Sequence, residues 1–557
     1  MFLALSGVPL VIVSIIAFVI ILGLIIVVHE GGHFFFAKRA GILCHEFSLG
    51  MGPAIYKKKY GETTFCLRAI PIGGFVSMAG EEVESELIKV GNQIGLNLLD
   101  GKVSEIILDQ DMDAMVKGEV VSVDLYGIDG KELFITINDG FQDRYFEVHR
   151  NASYVFKKGN TLQITPYDRS FESKTLLERF LTLVAGPGMN FVLAIIIYLI
   201  VSFATGVPNY GSTKLGTVSN YAPVSEVLQA GDEITKINGV KVETWDDLSL
   251  ELDKLLEKNE NSVAVEFVRD GVTLTDTIKC TTYIVSLGIS DIQVSNEQFP
   301  SGITNGVRLG NIALRYLDDG KRGEYPIAAG DILTKMRIDE VTKSGVVKGS
   351  VVEVVSWNQL IEVFKNADVV NVYFEYYSYQ KGGIVSIEEC AALQTYGNEV
   401  LENQRIEKLQ IKVGISPENH FDFLGVISQA FVNFWNDFTL IFRTLGLLIA
   451  PSGIRQVGVG DLSSFVGIFS LVEQYVGAGL LSLLGFTAML SVNIGVMNLL
   501  PIPALDGGRM VFLGYELITR KKPSKKVENT INNIFFILLM ILFVFVTYND
   551  ILRLFRG

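Results

Sequence analysis

From Val8 to Val28 the chain carries no charged residue. A helix needs about 20 mostly apolar residues to cross a hydrocarbon core. Backbone in lipid must satisfy its own hydrogen bonds, which leaves only helices and closed barrels as spanning structures. The run is read as a span and not as a secretory signal: the leader MFLALSG has no Lys or Arg, and no small-residue cleavage site follows. Comparable runs lie at Phe180 to Phe203, Val476 to Leu500 and, shorter, Ile534 to Thr547. Phe421 to Ile449 is interrupted by Asn433, Asp437 and Arg443, and reads as an amphipathic helix on or beside the membrane. Four spans are expected. Composition agrees: 49% hydrophobic and 19% charged residues describe a few spans joined to soluble domains. The net charge of −14 argues against a nucleic-acid partner, which would need basic patches.

Basic residues orient the spans. Lys38, Arg39, Lys57, Lys58, Lys59 and Arg68 follow the first, Lys174 and Arg179 precede the second, and Arg520, Lys521, Lys522, Lys525 and Lys526 separate the third and fourth. An excess of Lys and Arg marks cytoplasmic loops. Both loops are therefore expected inside, and residues from about Thr205 to His420, with both termini, outside.

At the inner end of the first run the sequence reads VVHEGGHFFFAKR. His29 and His33 lie one helical turn apart on one face, where two imidazoles can reach one zinc ion. Glu30 between them suits a general base on zinc-activated water. As a bare string HExxH is weak. Here it holds two of only five histidines and sits in an apolar helix, where ionisable groups are costly and functional by default. The bland alternative is an interfacial cluster that snorkels to the headgroups. Gly31 and Gly32 suit a close backbone approach to the metal, or ordinary small-residue packing. The cysteines Cys44, Cys66, Cys280 and Cys390 show no CxxC spacing, so neither a thiolate zinc site nor a disulfide framework is expected.

A catalytic zinc needs a third protein ligand. His45, His149 and His420 lie outside the spans. The segment NIGVMNLLPIPALDGGRM after the third run offers Asp506, and Pro501 and Pro503 break the helix before it. The charge rule puts this segment and the His pair at the same side of the membrane, although a solvated Asp in a terminating turn would read alike.

HEGGH together with NLLPIPALDGG resembles the site-2 protease family of intramembrane zinc metalloproteases, and in particular its RseP-like bacterial members that act in sigma-factor pathways. FSLGMGP (Phe47 to Pro53), LRAIPIGGFVSMAGE (Leu67 to Glu81) and SFESKTLLERFLTLVAGPGMNF (Ser170 to Phe191) extend the likeness over most of the chain. The resemblance implies that His29, His33 and Asp506 hold Zn2+ and that Glu30 is the catalytic base. It assigns substrate binding to Asn498 and Pro501 of NxxPxPxLDG, and to Gly73 and Gly74 in a membrane-associated β-hairpin that receives substrate as an extended strand. It also implies single-span membrane proteins, such as anti-sigma factors and leftover signal peptides, as substrates. Ser464 and Phe465 in DLSSFVGIFS replace the family's Gly-Pro, so a different backbone is expected there.

The expected fold is thus an α-helical multi-span membrane protein with a membrane-associated β-hairpin and extracytoplasmic tandem PDZ-like α+β domains. Residues 1–82 hold the first span and β segment, 83–160 a cytoplasmic β-rich insertion, and 161–206 the second span. Residues 207–300 and 301–415 are the PDZ-like domains, 416–475 a membrane-associated helical region, and 476–557 the last two spans. VLQAGDEITKINGVKVETWDDL (Val227 to Leu248) resembles a PDZ core, with a weaker copy from Ala328 to Phe364. These modules would either capture peptides by strand addition or bar substrates with bulky external domains. The loop near Asn220 to Val224 lacks the usual GLGF pattern and favours the sieve. Two other readings are weighed: a peptide-binding scaffold that does not cut, which loss of a ligand or of Glu30 would favour, and a proton-relay transporter, against which stands the lack of an inverted repeat of broken helices.

Overall fold

The computed structural model describes residues 8–80, 87–157, 161–219, 223–258, 262–291, 299–301, 303–312, 327–342, 345–395, 408–449 and 464–556. Its helices are α1 (Val8–Arg39), α2 (Leu176–Thr205), α3 (Trp245–Lys258), α4 (Trp357–Asn366), α5 (Phe423–Ile449), α6 (Phe465–Ala478), α7 (Leu480–Leu499), α8 (Asp506–Thr519) and α9 (Lys525–Arg556). Among the described residues, α1, α2, α7 and α9 are long and apolar enough to cross a membrane. One expected span begins later than its hydropathy suggests. Val476 to Ala478 belong to α6, and Gly479 at φ 106 breaks the helix before α7 begins. No L side chain adopts that conformation readily, so the glycine permits the break.

The chain divides into two units, Met1–Val201 with Ala430–Ile441 and Ser463–Gly557, and Ser202–Gln429 with Phe442–Leu462. In the first, Ile21, Leu22 and Ile25 of α1 pack with Val472 of α6 and with Phe486 and Leu490 of α7. Ala194 and Ile197 of α2 meet Ala430 of α5 and Ala488 and Val492 of α7. Small residues at these crossings let the helices approach closely, as lipid-embedded packing requires. The Asp437 that interrupts the hydropathy of α5 is paired, accepting a hydrogen bond from the Tyr198 hydroxyl of α2. Ser464, at the family's Gly-Pro position, caps α6: its Oγ accepts from the Val466 N–H at 3.1 Å, and its own N–H donates to Asp550 at 2.6 Å. Residues 461–463 lie outside the described residues.

After α1 come two long strands, β1 (Cys44–Tyr60) and β2 (Thr63–Met78), which bend on themselves at bulges. Residues 46–49 pair with 64–67 on one side and with 74–77 on the other, while 54–60 pair with 63–68. Two strands therefore build four sheet segments. Gly50 and Gly52, both at φ 82, lie at the bend, where a Cβ on Gly50 would collide with the Ile70 carbonyl. Gly74–Met78 is an edge: it pairs with Cys44–Leu49, and among the described residues no strand pairs with its other side.

The insertion expected to be β-rich is a small barrel of β3 (Gln93–Leu99), β4 (Lys102–Ile107), β5 (Val116–Asp124), β6 (Phe134–Asn138), β7 (Asp143–Val155) and β8 (Thr161–Gln163). The strands run in the order β4-β3-β5-β6-β7-β8, and a parallel β4–β7 pairing closes the ring. Leu96, Ile106, Ile135 and Ile137 fill the interior. Asp100 and Gly101, both with positive φ, make the two-residue turn between β3 and β4.

The second unit repeats one hydrogen-bond pattern. The N–H groups of Leu215 and Gln229 bond the Asp232 carbonyl and carboxylate, each at 2.8 Å; Leu309 and Ala328 treat Asp331 alike, at 2.9 and 2.8 Å. Thr235 donates to the Glu266 carbonyl and Thr334 to the Glu375 carbonyl. Each copy then enters a helix at a tryptophan, Trp245 of α3 and Trp357 of α4. The Asn238-Gly239 turn, with both residues at positive φ, joins Ile237 to Val240 as expected. Ile411, Val413 and Ile415, from beyond the second copy, return to the core of the first. Of the loop singled out near Asn220 to Val224, residues 220–222 lie outside the described residues.

Candidate active site

α1 stays helical through HEGGH, which puts His29 and His33 on one face. α7 ends at Leu499, and the NLLPIPALDGG segment turns sharply: the Ile502 N–H bonds Leu500 O at 2.7 Å, and Leu505 bonds Ile502 O at 3.2 Å. Ala504 takes φ +74, and its N–H donates to Asn532 Oδ1 of α9 at 3.2 Å. A left-handed conformation costs a residue with a Cβ roughly 1–2 kcal/mol, so this tie helps to fix the turn. Gly507 and Gly508 then press against the carbonyls of Leu499, Leu500 and Ile502, where any Cβ would collide. The outcome is Asp506 in the first turn of α8, facing the two histidines.

The three ligand atoms form a nearly regular triangle. His29 Nε2 and His33 Nε2 are 3.3 Å apart, and each lies 3.3 Å from Asp506 Oδ2. A tetrahedron with metal–ligand bonds of about 2.0–2.1 Å has edges of about 3.3–3.4 Å. The triangle matches one face of a zinc tetrahedron, an arrangement that would leave the fourth vertex for water or substrate. Among the described residues this is the one group of three or more His, Cys, Asp or Glu side chains spaced to hold a metal.

The outer contacts of the histidines set their tautomers. His33 Nδ1 lies 2.8 Å from the Thr182 carbonyl, which can only accept, so Nδ1 carries the proton and Nε2 keeps its lone pair for the metal. His29 Nδ1 lies 3.2 Å from the Asn190 amide, whose buried Oδ1 has no partner when Nδ2 faces the ring. Exchanging amide oxygen and nitrogen lets His29 Nδ1–H donate to Oδ1 and frees His29 Nε2 for zinc. The donor set fits the ion. α2 comes close enough for these contacts because its chain is bare there: a Cβ on Gly186 would strike the His33 ring, and one on Gly32 would strike the Ala185 carbonyl. Gly32 thus serves a close helix crossing, whereas Gly31 has nothing within 4 Å.

His29, Glu30, His33, Asp506, Asn498, Gly73 and Gly74 all line one cavity of about 1340 Å³. Pro501 is exposed on the turn and does not line it. At Gly74 the sheet edge touches α1, for a Cβ there would fall 2.8 Å from Ile26 Cγ2 and 3.0 Å from Glu30 Cγ. Sequence reasoning missed Asn190, Thr182, Ala504 and Asn532. Asn190 had left a signal, being the one carboxamide or charged side chain between Phe180 and Phe203. Thr182 and Ala504 act through a backbone carbonyl and a backbone conformation, and Asn532 through a side chain that meets a backbone N–H distant in sequence, none of which a pattern of residue types reveals.

A glutamate beside three side chains spaced to hold a metal is the arrangement of a zinc hydrolase. The chain matches peptidase family M50 over residues 17–542, and it belongs to that family. Zinc metalloprotease RasP of Shouchella clausii is 28% identical over 97% of this chain and 99% of its own. A Staphylococcus aureus (strain N315) relative, a putative zinc metalloprotease by name, is 29% identical over 98% of this chain and 99% of its own. The crystal structure of the PDZ domain of a Listeria monocytogenes SdrC-like protein matches 13% of this chain and 73% of its own at 23% identity, with a TM-score of 0.11. The protein is a zinc metalloprotease of the membrane, and its relatives support proteolysis within the bilayer.

Proposed function

We propose that the enzyme is an intramembrane zinc endopeptidase that cuts the transmembrane segments of single-span membrane proteins, among them anti-sigma factors and remnant signal peptides. One observation carries the reading: the metal triangle, Glu30 and the unpaired edge Gly74–Met78 share a single cavity. A helical substrate has its peptide groups engaged in its own ladder, so it must be drawn out before cutting. Pairing with Gly74–Met78 offers replacement hydrogen bonds to the unwound strand. Asn498 then holds the strand from the other wall. Bound zinc, held by His29, His33 and Asp506, would polarise the scissile carbonyl and acidify a water. Glu30 takes the proton from that water and passes it to the leaving amide nitrogen.

We place the cavity near the cytoplasmic surface and the repeated modules of the second unit outside, following the basic loops. The modules are read as a PDZ-like pair that bars substrates with bulky external domains, with peptide capture as the competing role. Glu30→Gln tests the protease reading: purified variant and wild type should hold equal zinc, and only wild type should cut a designed transmembrane peptide. Equal cutting by both would sink the mechanism.

A further inference from the structure

Part of the wall of the catalytic cavity comes from the β-barrel, which the chemistry above does not use. Val123, Tyr126, Tyr154, Leu162 and Gln163 line the same cavity as Glu30 and Asp506. This wall is fixed in place. The barrel's exit is tied to the residues that flank the bent sheet by backbone bonds, Leu43 N–H to Arg169 O at 2.9 Å and Phe171 N–H to Ala79 O at 2.7 Å. The Glu62 carboxylate between them takes Lys38 at 2.5 Å and Arg169 at 2.8 Å. Tyr126 donates to Glu172 at 3.2 Å, and Lys525 of α9 pairs with the same carboxylate at 2.7 Å.

The barrel side of the cavity presents little charge. Asp124 is the one charged lining residue of the barrel strands and their turns among those described, with Oδ1 engaged by the N–H groups of Tyr126 and Gly127 at 3.0 and 2.8 Å. Glu172 and Lys525, which line the cavity beside Tyr126, neutralise each other as an ion pair. At 1340 Å³ the cavity exceeds the roughly 300–1,000 Å³ that encloses a drug-sized ligand. It is larger than one residue at the metal needs. We propose that the barrel face bearing Tyr126, Tyr154 and Leu162 is a substrate subsite, which takes an uncharged, apolar stretch of the polypeptide being cut, next to the segment lying along Gly74–Met78. The inference rests on the protease reading above. It assigns the insertion a part in choosing substrates by the residues that flank the scissile bond.

The test uses the full-length zinc enzyme in lipid nanodiscs and three transmembrane peptides: one with a Leu/Tyr flank, one with that flank changed to Asp, and one truncated before it. The ratio of kcat/KM for the apolar over the acidic flank is independent of the active fraction of a preparation. Burial of a carboxylate against Tyr154 and Leu162, with the Asp124 and Glu172 carboxylates on the same cavity wall, is unfavourable, so wild type should favour the apolar flank by about tenfold. Leu162→Lys should lower that ratio about fivefold or more by attracting the acidic flank. Should that variant lose its zinc, Gln163→Lys on the same strand is measured instead. A smaller change, or a wild-type ratio near one, overturns the subsite. Wild type that fails to cut even the truncated peptide overturns the protease reading and the subsite together, whereas a flat ratio with that peptide cut overturns the subsite alone.

Discussion

At the scale of single residues, the zinc site depends on atoms one contact removed from the ligands. Asn190 is expected to matter because His29 needs a proton on Nδ1 if Nε2 is to bind metal. Removing such an outer partner typically weakens metal affinity by roughly 10–100-fold. Asn190→Ala should lose zinc to a competing chelator within that range, and unchanged retention would mean that His29 is oriented by something else. His45, between Lys38, Arg169 and Glu62 and 3.2 Å from Thr165 Oγ1, also lines the cavity. Burial moves its pKa from the ordinary 6.5 down to about 4. A depressed histidine stabilises the fold above the unfolded pKa, and this stability is lost as pH falls, since the unfolded chain takes up the proton first. Each tenfold difference in proton affinity between the folded and unfolded chain is worth about 1.4 kcal/mol. Stability in detergent should therefore fall by roughly 3 kcal/mol as the pH is lowered from the ordinary histidine pKa to that of His45. The fall should be shallower in His45→Gln; equal slopes would show that His45 is not held neutral.

At the scale of elements, the geometry hangs on three helices reaching one point. α8 carries Asp506 and is locked to α2 by Arg179 and Glu516, a two-pronged ion pair at 3.0 and 2.7 Å with side chains only 8% and 12% exposed. Removing one partner of a buried pair costs about 3–5 kcal/mol, while replacing both by apolar groups is often neutral. Glu516→Leu should therefore lower the thermal midpoint strongly, and adding Arg179→Met should restore most of it; a double variant as weak as the single would contradict this. The sequence made α1 and its HEGGH face legible, because apolar content and spacing fix both. It also showed Asp506, but only through a motif and a charge rule. The turn that aims Asp506 was not legible, because it depends on the positive φ of Ala504, on Asn532 and on glycine contacts distant in sequence. The break at Gly479 was hidden for a related reason: hydropathy counts side chains and ignores backbone conformation.

At the scale of the molecule, the chain folds as two units. The first unit gathers α1, α2, α7, α8, the bent sheet and the barrel around one cavity. In the second, Val207 pairs with His420, which ties the start of its longer segment to the end of its repeated modules. Its two copies share backbone contacts but differ at their buried aspartates. Asp232 is clasped by Arg269 at 2.7 and 2.8 Å, and Ser378 stands at the corresponding place beside Asp331. The repeat was faint in the sequence because its shared part is mostly hydrogen bonding. The central claim is that cutting occurs inside the apolar stretch of a membrane substrate. Mass mapping of the fragments made by the zinc enzyme from a single-span protein in nanodiscs tests it. New termini are expected within the transmembrane segment; termini confined to the soluble flanks would contradict the claim.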